Sequence, residues 1–168
     1  IQAFAEAQAK TQKNLKLIII GDGELREELE RFSNSLNLKI SNSTAVKSDI
    51  LFTSWITDIE SALPGLDIVA LSSFNEGTPV SLIEAQAANN PVVSTNVGGI
   101  ENVVVQNKTG LLSDIEDLET YSANLLELVE NDAKREAMSK EGWKHVKDQY
   151  SYKRLVSDVD KLYKDLLK

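Results

Sequence analysis

The run DIVALS at residues 67–72, followed by EGTPVSLIEAQAANNPVV at residues 76–93, decides how this chain folds. The first run is apolar and short, as a strand buried on both faces should be. A helix then starts between Thr78 and Ser81 and ends at Asn89-Asn90, where Pro91 stops it and a second apolar run begins. Strand, helix and strand in that order form the repeating unit of a parallel sheet. Glu76 falls on the loop leaving the first strand, and Glu84 falls one turn inside the helix. In an open parallel sheet such a loop lies at the carboxyl edge of the strands, where ligands bind.

The same alternation extends to both sides. Residues 1–13 read as a helix and residues 15–20 as a buried strand closed by Gly21-Asp22-Gly23. Residues 24–36 carry Leu25, Leu29, Phe32 and Leu36 on one helical face. Residues 37–49 are polar and read as a surface loop. A strand follows at 50–53 and a short helix at 58–63, ended by Pro64-Gly65. After residue 93 come a turn at Gly98-Gly99, a short helix at 101–105 and a brief strand at Leu111-Leu112. Three helices close the chain, at about 116–130, 133–148 and 152–167. The expected fold class is α/β, a Rossmann-like parallel sheet with helices on both faces and a helical C-terminal tail, all in one domain over residues 1–168.

The chain has 168 residues, a 42% hydrophobic share and a net charge of −8, which suits one soluble domain and argues against nucleic acid as a partner. It has no cysteine, so disulfides, thiolate metal sites and thiol nucleophiles drop out together. No apolar run is long enough to span a bilayer and no signal-peptide pattern opens the chain, so a cytoplasmic setting is expected. Asp158-Val-Asp160 resembles a metal motif, but neighbours two apart on a helix point to different sides. No metal site is expected. His145, the one histidine, reads as exposed, and Trp143 as core packing.

The chemistry concentrates around Glu76 and Glu84. The helix start between them offers free backbone N–H groups and a positive dipole end, an anion site in waiting. A phosphate cradle with an acceptor carboxylate on each side suits a ligand carrying phosphate and sugar hydroxyls. The plainer reading is two surface carboxylates stabilising a helix dipole. Gly21 and Gly23 stand between a strand and a helix, as in a dinucleotide fingerprint, but Arg26 takes the third glycine's place, so a tight turn is the first reading. Gly98-Gly99 leaves two readings open: a positive-φ turn, or close backbone approach to a ligand. Trp55 closes a strand at the ligand edge, where it could flank a base.

The longer string EGTPVSLIEAQAANNPVVSTNVGGIENVV at residues 76–104 resembles the signature of the retaining GT-B glycosyltransferases of family 4. The spacing of Glu76 and Glu84 is that family's pattern. The resemblance also takes in LKLIIIGDGELREELE at 15–30, LFTSW at 51–55, LPGLDIVALSS at 63–73, NKTGLL at 107–112 and the tail at 150–167. It covers nearly the whole chain, and looks closest to members that build capsular or surface polysaccharides.

The resemblance implies that this is the second, C-terminal domain of a GT-B fold, which binds a donor nucleoside-diphosphate sugar (UDP-, GDP- or ADP-linked) without a cofactor. It implies that Glu84 accepts hydrogen bonds from the ribose hydroxyls and that Glu76, as the catalytic group, faces the sugar. Gly77 and Thr78 would lie beside that sugar, the Val80 and Ser81 amides would hold the diphosphate, and Pro79 between them would belong to the donor-binding set. The backbone at Trp55 and Ile56 would meet the base, with Gly21 and Gly23 at the same edge. The family's Arg and Lys for the diphosphate, and its N-terminal acceptor domain, lie outside this sequence. The domain alone is therefore expected to be inactive, and any membrane contact to run through the other half. Two alternatives remain: half of a GT-B sugar-nucleotide epimerase, or a non-catalytic nucleotide-binding or interaction module.

Overall fold

The computed structural model describes residues 1–167. Helix α1 (Gln2–Lys10) leads into β1 (Leu17–Ile20), α2 (Arg26–Ser35), β2 (Ile40–Ser41) and β3 (Ile50–Ser54). Next come α3 (Ile59–Ala62), β4 (Val69–Leu71), α4 (Val80–Ala87), β5 (Val92–Thr95), α5 (Ile100–Val103) and β6 (Gly110–Ser113). The tail consists of α6 (Leu118–Glu130), α7 (Asp132–Tyr150) and α8 (Tyr152–Leu166). Every ladder is parallel. The strands form two three-stranded halves, β2-β3-β1 and β4-β5-β6.

Alternation along β5 and β6 sends side chains to opposite faces, and helices cover both. Val92 and Leu112 pack with Leu82 and Ala85 of α4 and with Ile100 and Val103 of α5. Val93 and Leu111 pack instead with Ala3, with Tyr121 and Leu128 of α6, and with Met138 of α7. A third cluster joins Phe4 of α1 to Ile50 and Phe52 of β3. Successive residues of α1, Ala3 and Phe4, thus serve different halves of the sheet. Gln8 Nε2 donates to Asp49 Oδ1 (3.1 Å), Thr11 Oγ1 donates to the Glu130 carboxylate, and Lys13 Nζ donates to the Val129 carbonyl (2.8 Å).

Three side-chain caps start the tail helices: Asp117 accepts from Thr120 N–H, Asn131 from Lys134 N–H and Ser151 from Arg154 N–H. Asn89, just past α4, has φ 64°, a left-handed angle that asparagine tolerates.

Several expectations need correcting. Residues 37–49 are not all loop, because Ile40 and Ser41 pair with Ile50 and Leu51 as β2. Asp49 makes this pairing possible by accepting from Lys39 N–H (2.7 Å). The face of α2 is less covered than its periodicity implies, with Leu25, Leu29 and Phe32 all exposed. Trp143 is exposed beneath the Lys147 ammonium, 4.4 Å from the ring centroid, rather than core. His145 is half-buried against Tyr150, their ring centroids 6.0 Å apart.

Tyr121 ties α6 to the end of β4, its hydroxyl donating to the Leu71 carbonyl at 3.3 Å. Burial pushes this phenol up from 10.0 to about 12. A folded-state value above the unfolded one means that the contribution is complete below pH 10 and lost as pH rises toward 12. At two pH units the full effect is on the order of 3 kcal/mol. Urea unfolding should therefore show stability falling across that window, with Tyr121→Phe flattening the fall. Equal slopes in the two proteins would show that Tyr121 does not titrate as a buried group.

Candidate functional site

Parallel pairing brings the carboxyl ends of the strands to one edge. Ile20 of β1 is in register with Ser54 of β3, and Leu71 of β4 with Ser94 of β5. The turn at Gly21, the residues Trp55-Ile56, the loop 72–79 and the loop 96–99 leave these ends. The residues read in the sequence as donor-binding therefore lie on strand-end loops or on the helix that follows one of them.

The loop carrying Glu76 is held by backbone. A Cβ placed on Gly98 would sit 1.8 Å from the Glu76 carbonyl oxygen, and one on Gly99 would sit 2.2 Å from that of Gly77. Gly99 N–H donates to the Glu76 carbonyl at 3.3 Å, and Thr95 Oγ1 donates to the Ser73 carbonyl at 2.7 Å. Gly98 also has φ +54°. Both conformational freedom and close approach are at work here, and the group approached is the chain's own Glu76–Gly77 backbone.

Pro79 is the buried N-cap residue of α4, with no side-chain cap on the helix. The Leu82 and Ile83 amides bond back to the Pro79 carbonyl at 3.1 and 3.3 Å. Those of Val80 and Ser81, at the first two helical positions, have no intrahelical acceptor. Thr78, Val80 and Ser81 are exposed, as is Gly77. Glu84 is exposed on the next turn of α4, and Glu76 is half-buried in the loop before it. α4 is anchored from behind by the fully buried Gln86, whose Nε2 donates to the Leu82 and Val103 carbonyls, both at 3.1 Å.

Two aromatic rings stand out at this edge, Trp55 at 78% exposure and Phe74 at 79%. Ser54, with φ 59°, turns the chain just before Trp55. Gly21, with φ +120°, needs its missing side chain for the turn and donates to the Ser54 carbonyl at 2.9 Å. Gly23 has open space around its α-carbon, and its N–H donates to Asp22 Oδ1.

Phe74 and Arg26 were not read as site residues from the sequence. Arg26 reaches the end of β3, donating to Ser54 Oγ (2.5 Å), Asp22 Oδ2 (3.2 Å) and Glu30 Oε1 (2.9 Å), with Phe52 under its guanidinium. The Ser54 hydroxyl foremost, then the Gly23 N–H and Arg26, hold the Asp22 carboxyl below its usual range. The signal was present in the spacing, since Asp22, Arg26 and Glu30 stand four apart.

The model of the glycosyl transferases group 1 family matches residues 1–145. The chain belongs to this family. It is 29% identical over 152 residues to an *Escherichia coli* UDP-Gal:alpha-D-GlcNAc-diphosphoundecaprenol alpha-1,3-galactosyltransferase, covering 89% of this chain but 37% of that protein. Among solved structures, *Anabaena* HepE in complex with UDP superposes with a TM-score of 0.82 at 17% identity, covering 98% of this chain and 44% of that one. A C-terminal domain of a glycosyl transferase group 1 protein from *Francisella tularensis* gives 0.73 at 23% identity, covering 90% and 79%. The chain thus spans well under half the length of the curated relative, and the GT-B second-domain fold expected from the sequence is the fold observed.

Gly98→Ala should cost stability, on the order of 1–3 kcal/mol, because a methyl group there collides with backbone and the φ is strained. Gly23→Ala, with open space and no positive φ, should change little. Thermal unfolding of both variants, with amide NMR shifts at Glu76 and Gly77, checks this. A Gly98→Ala protein with unmoved Glu76 and Gly77 signals would show that the loop is not seated on Gly98.

Proposed function

We propose that this domain binds the donor of a retaining glycosyltransferase, which moves a sugar from a nucleoside-diphosphate sugar to an acceptor hydroxyl. The observation that carries the reading is the uncapped start of α4, whose Val80 and Ser81 amides lie between Glu76 and Glu84 at the carboxyl edge. Those amides and the helix dipole meet the diphosphate as negative charge develops on the leaving group. Gly77 and Thr78 lie beside the sugar, and Pro79 belongs to the same donor-binding loop. Glu84 accepts from the ribose hydroxyls, and Glu76 faces the sugar as the catalytic group. Trp55 and Ile56 border the base, with Gly21 and Gly23 on the neighbouring turn.

The name of the *E. coli* relative specifies a UDP-sugar and a lipid-linked sugar acceptor, and the *Anabaena* structure is described as a UDP complex. Both support a nucleotide-sugar donor, whose nucleotide we read as UDP, GDP or ADP, and we extend the reading to a role in surface or capsular polysaccharide synthesis. No metal or cofactor takes part in this reading. The acceptor and further cations for the diphosphate come from an N-terminal domain and from residues outside this sequence, so the domain alone transfers no sugar. Among the described residues no helix is long and apolar enough to cross a membrane. We place the work at the cytoplasmic side, with any membrane contact made by the other half.

Kinetics of the full-length parent separate the two glutamates. Glu84→Gln removes charge from bonds made equally in the ground and transition states. Charge-assisted hydrogen bonds are worth about 1.5–3 kcal/mol, so the donor KM should rise roughly 10- to 150-fold with kcat little changed. Glu76→Gln touches the sugar as positive charge grows on it, so its loss should fall mainly on kcat. Both variants near wild type in kcat and donor KM would return the pair to dipole-stabilising surface carboxylates.

A further inference from the structure

β3 does not end as a regular strand. Ile19 of β1 faces Phe52, but Ile20 faces Ser54, so the register slips by one residue and passes over Thr53. A bulge of this kind re-aims whatever follows it. Ser54 then takes φ 59°, a left-handed angle in which a Cβ crowds its own backbone. Trp55 comes next. At 78% exposure its place is set by the backbone beneath it rather than by packing.

Both oxygens of Ser54 are held. Its carbonyl accepts from Gly21 N–H and from Thr53 Oγ1, each at 2.9 Å. Its hydroxyl accepts from Arg26 Nη1 at 2.5 Å and bonds the Asp22 carboxyl. Asp22 Oδ2 and Glu30 Oε1 accept from the same guanidinium at 3.2 and 2.9 Å, and the Phe52 ring centroid lies 5.5 Å from it. A chain that only had to turn here would carry glycine at position 54 and need no such frame. Strain at a non-glycine residue persists where the surroundings over-determine it, and it gathers at ligand clamps.

We propose that Asp22, Arg26 and Ser54 are positioning residues, which lock the bulged end of β3 so that the Trp55–Ile56 turn is preorganised for the base of the donor. The proposal rests on the donor reading above, which puts the base at that turn. None of the three touches the donor. Arg26 acts through the Ser54 hydroxyl, and Asp22 acts through both. Its charge already paired with Asp22 and Glu30, Arg26 serves here as a planar fork rather than as a phosphate ligand. Loosening the frame leaves the turn in its competent geometry for a smaller share of the time, and apparent affinity falls by that share.

Steady-state kinetics and competition in the full-length parent test this with Arg26→Lys and Ser54→Gly. Lysine keeps the charge but cannot serve Ser54, Asp22 and Glu30 together. Glycine keeps the angle without strain but loses the hydroxyl. With the competent turn populated about a tenth to a hundredth of the time, donor KM and the inhibition constant of the nucleoside diphosphate (UDP, GDP or ADP) rise roughly 10- to 100-fold. The value of kcat stays near wild type, because the frame serves ground and transition states alike. Inorganic pyrophosphate, which has no base, should compete equally well against every variant. Because Arg26 acts through Ser54, the double variant should be no worse than Ser54→Gly alone. A Ser54→Gly protein that binds nucleotide like wild type overturns the proposal, since the angle alone then suffices. So does equal weakening of nucleotide and pyrophosphate, because the frame then supports the whole edge and not the base. A fall in kcat at unchanged donor KM overturns it as well. A wild-type parent that binds none of the three nucleotides sinks the donor reading too, whereas variants that match a nucleotide-binding wild type sink the frame alone.

Discussion

Glu76 and Gly77 lie against Gly98 and Gly99 with no side chain between the two stretches, close enough that a methyl group on either glycine would overlap a carbonyl oxygen. Because the contact is backbone on backbone, neither loop can shift by choosing another rotamer. It joins the loop after β4 to the loop after β5, and the Thr95–Ser73 hydrogen bond repeats the link one step nearer the strands. Pro79 then fixes the entry into α4 from the same loop. The position of Glu76 relative to the first amides of α4 therefore follows from two glycines about twenty residues away in sequence. The rest of the ligand edge is built outward from that seat.

Electrostatics at this edge follow from how the nearby charges are already used. The protein carries a net charge of −8, which does not favour a diphosphate. Arg26 reaches the edge, but Asp22 and Glu30 both pair with it. In the proposed donor reading, attraction for the diphosphate at the start of α4 thus comes from oriented N–H groups whose partial charges need no counter-ion.

Most strands were legible because each is a short apolar run between turn residues, and the Glu76–Glu84 spacing was legible because it is local. β2 was not, since Ile40-Ser41 is too short to show a period and depends on Asp49 bonding the Lys39 amide. Periodicity located the apolar face of α2 but could not say that little would cover it. Trp143 and His145 failed for the same reason, as their surroundings are set by Lys147 and Tyr150 on the next turn of α7. For Gly98-Gly99 the sequence left two readings, and only the fold shows which backbone comes close.

The absence of a side chain at Gly142 lets α7 pass close behind α4, where a Cβ would come within 3.2 Å of Gln86 Cγ. The far end of the same helix is pinned to α5 by Tyr150, whose hydroxyl donates to the Asn102 carbonyl. α7 therefore works as a splint laid across the two helices that back the ligand edge. Its consequence is one of connection: α8 joins the body of the domain through a helix nineteen residues long that is fastened to both α4 and α5. The part of the chain farthest from this edge in sequence is thus packed directly behind it.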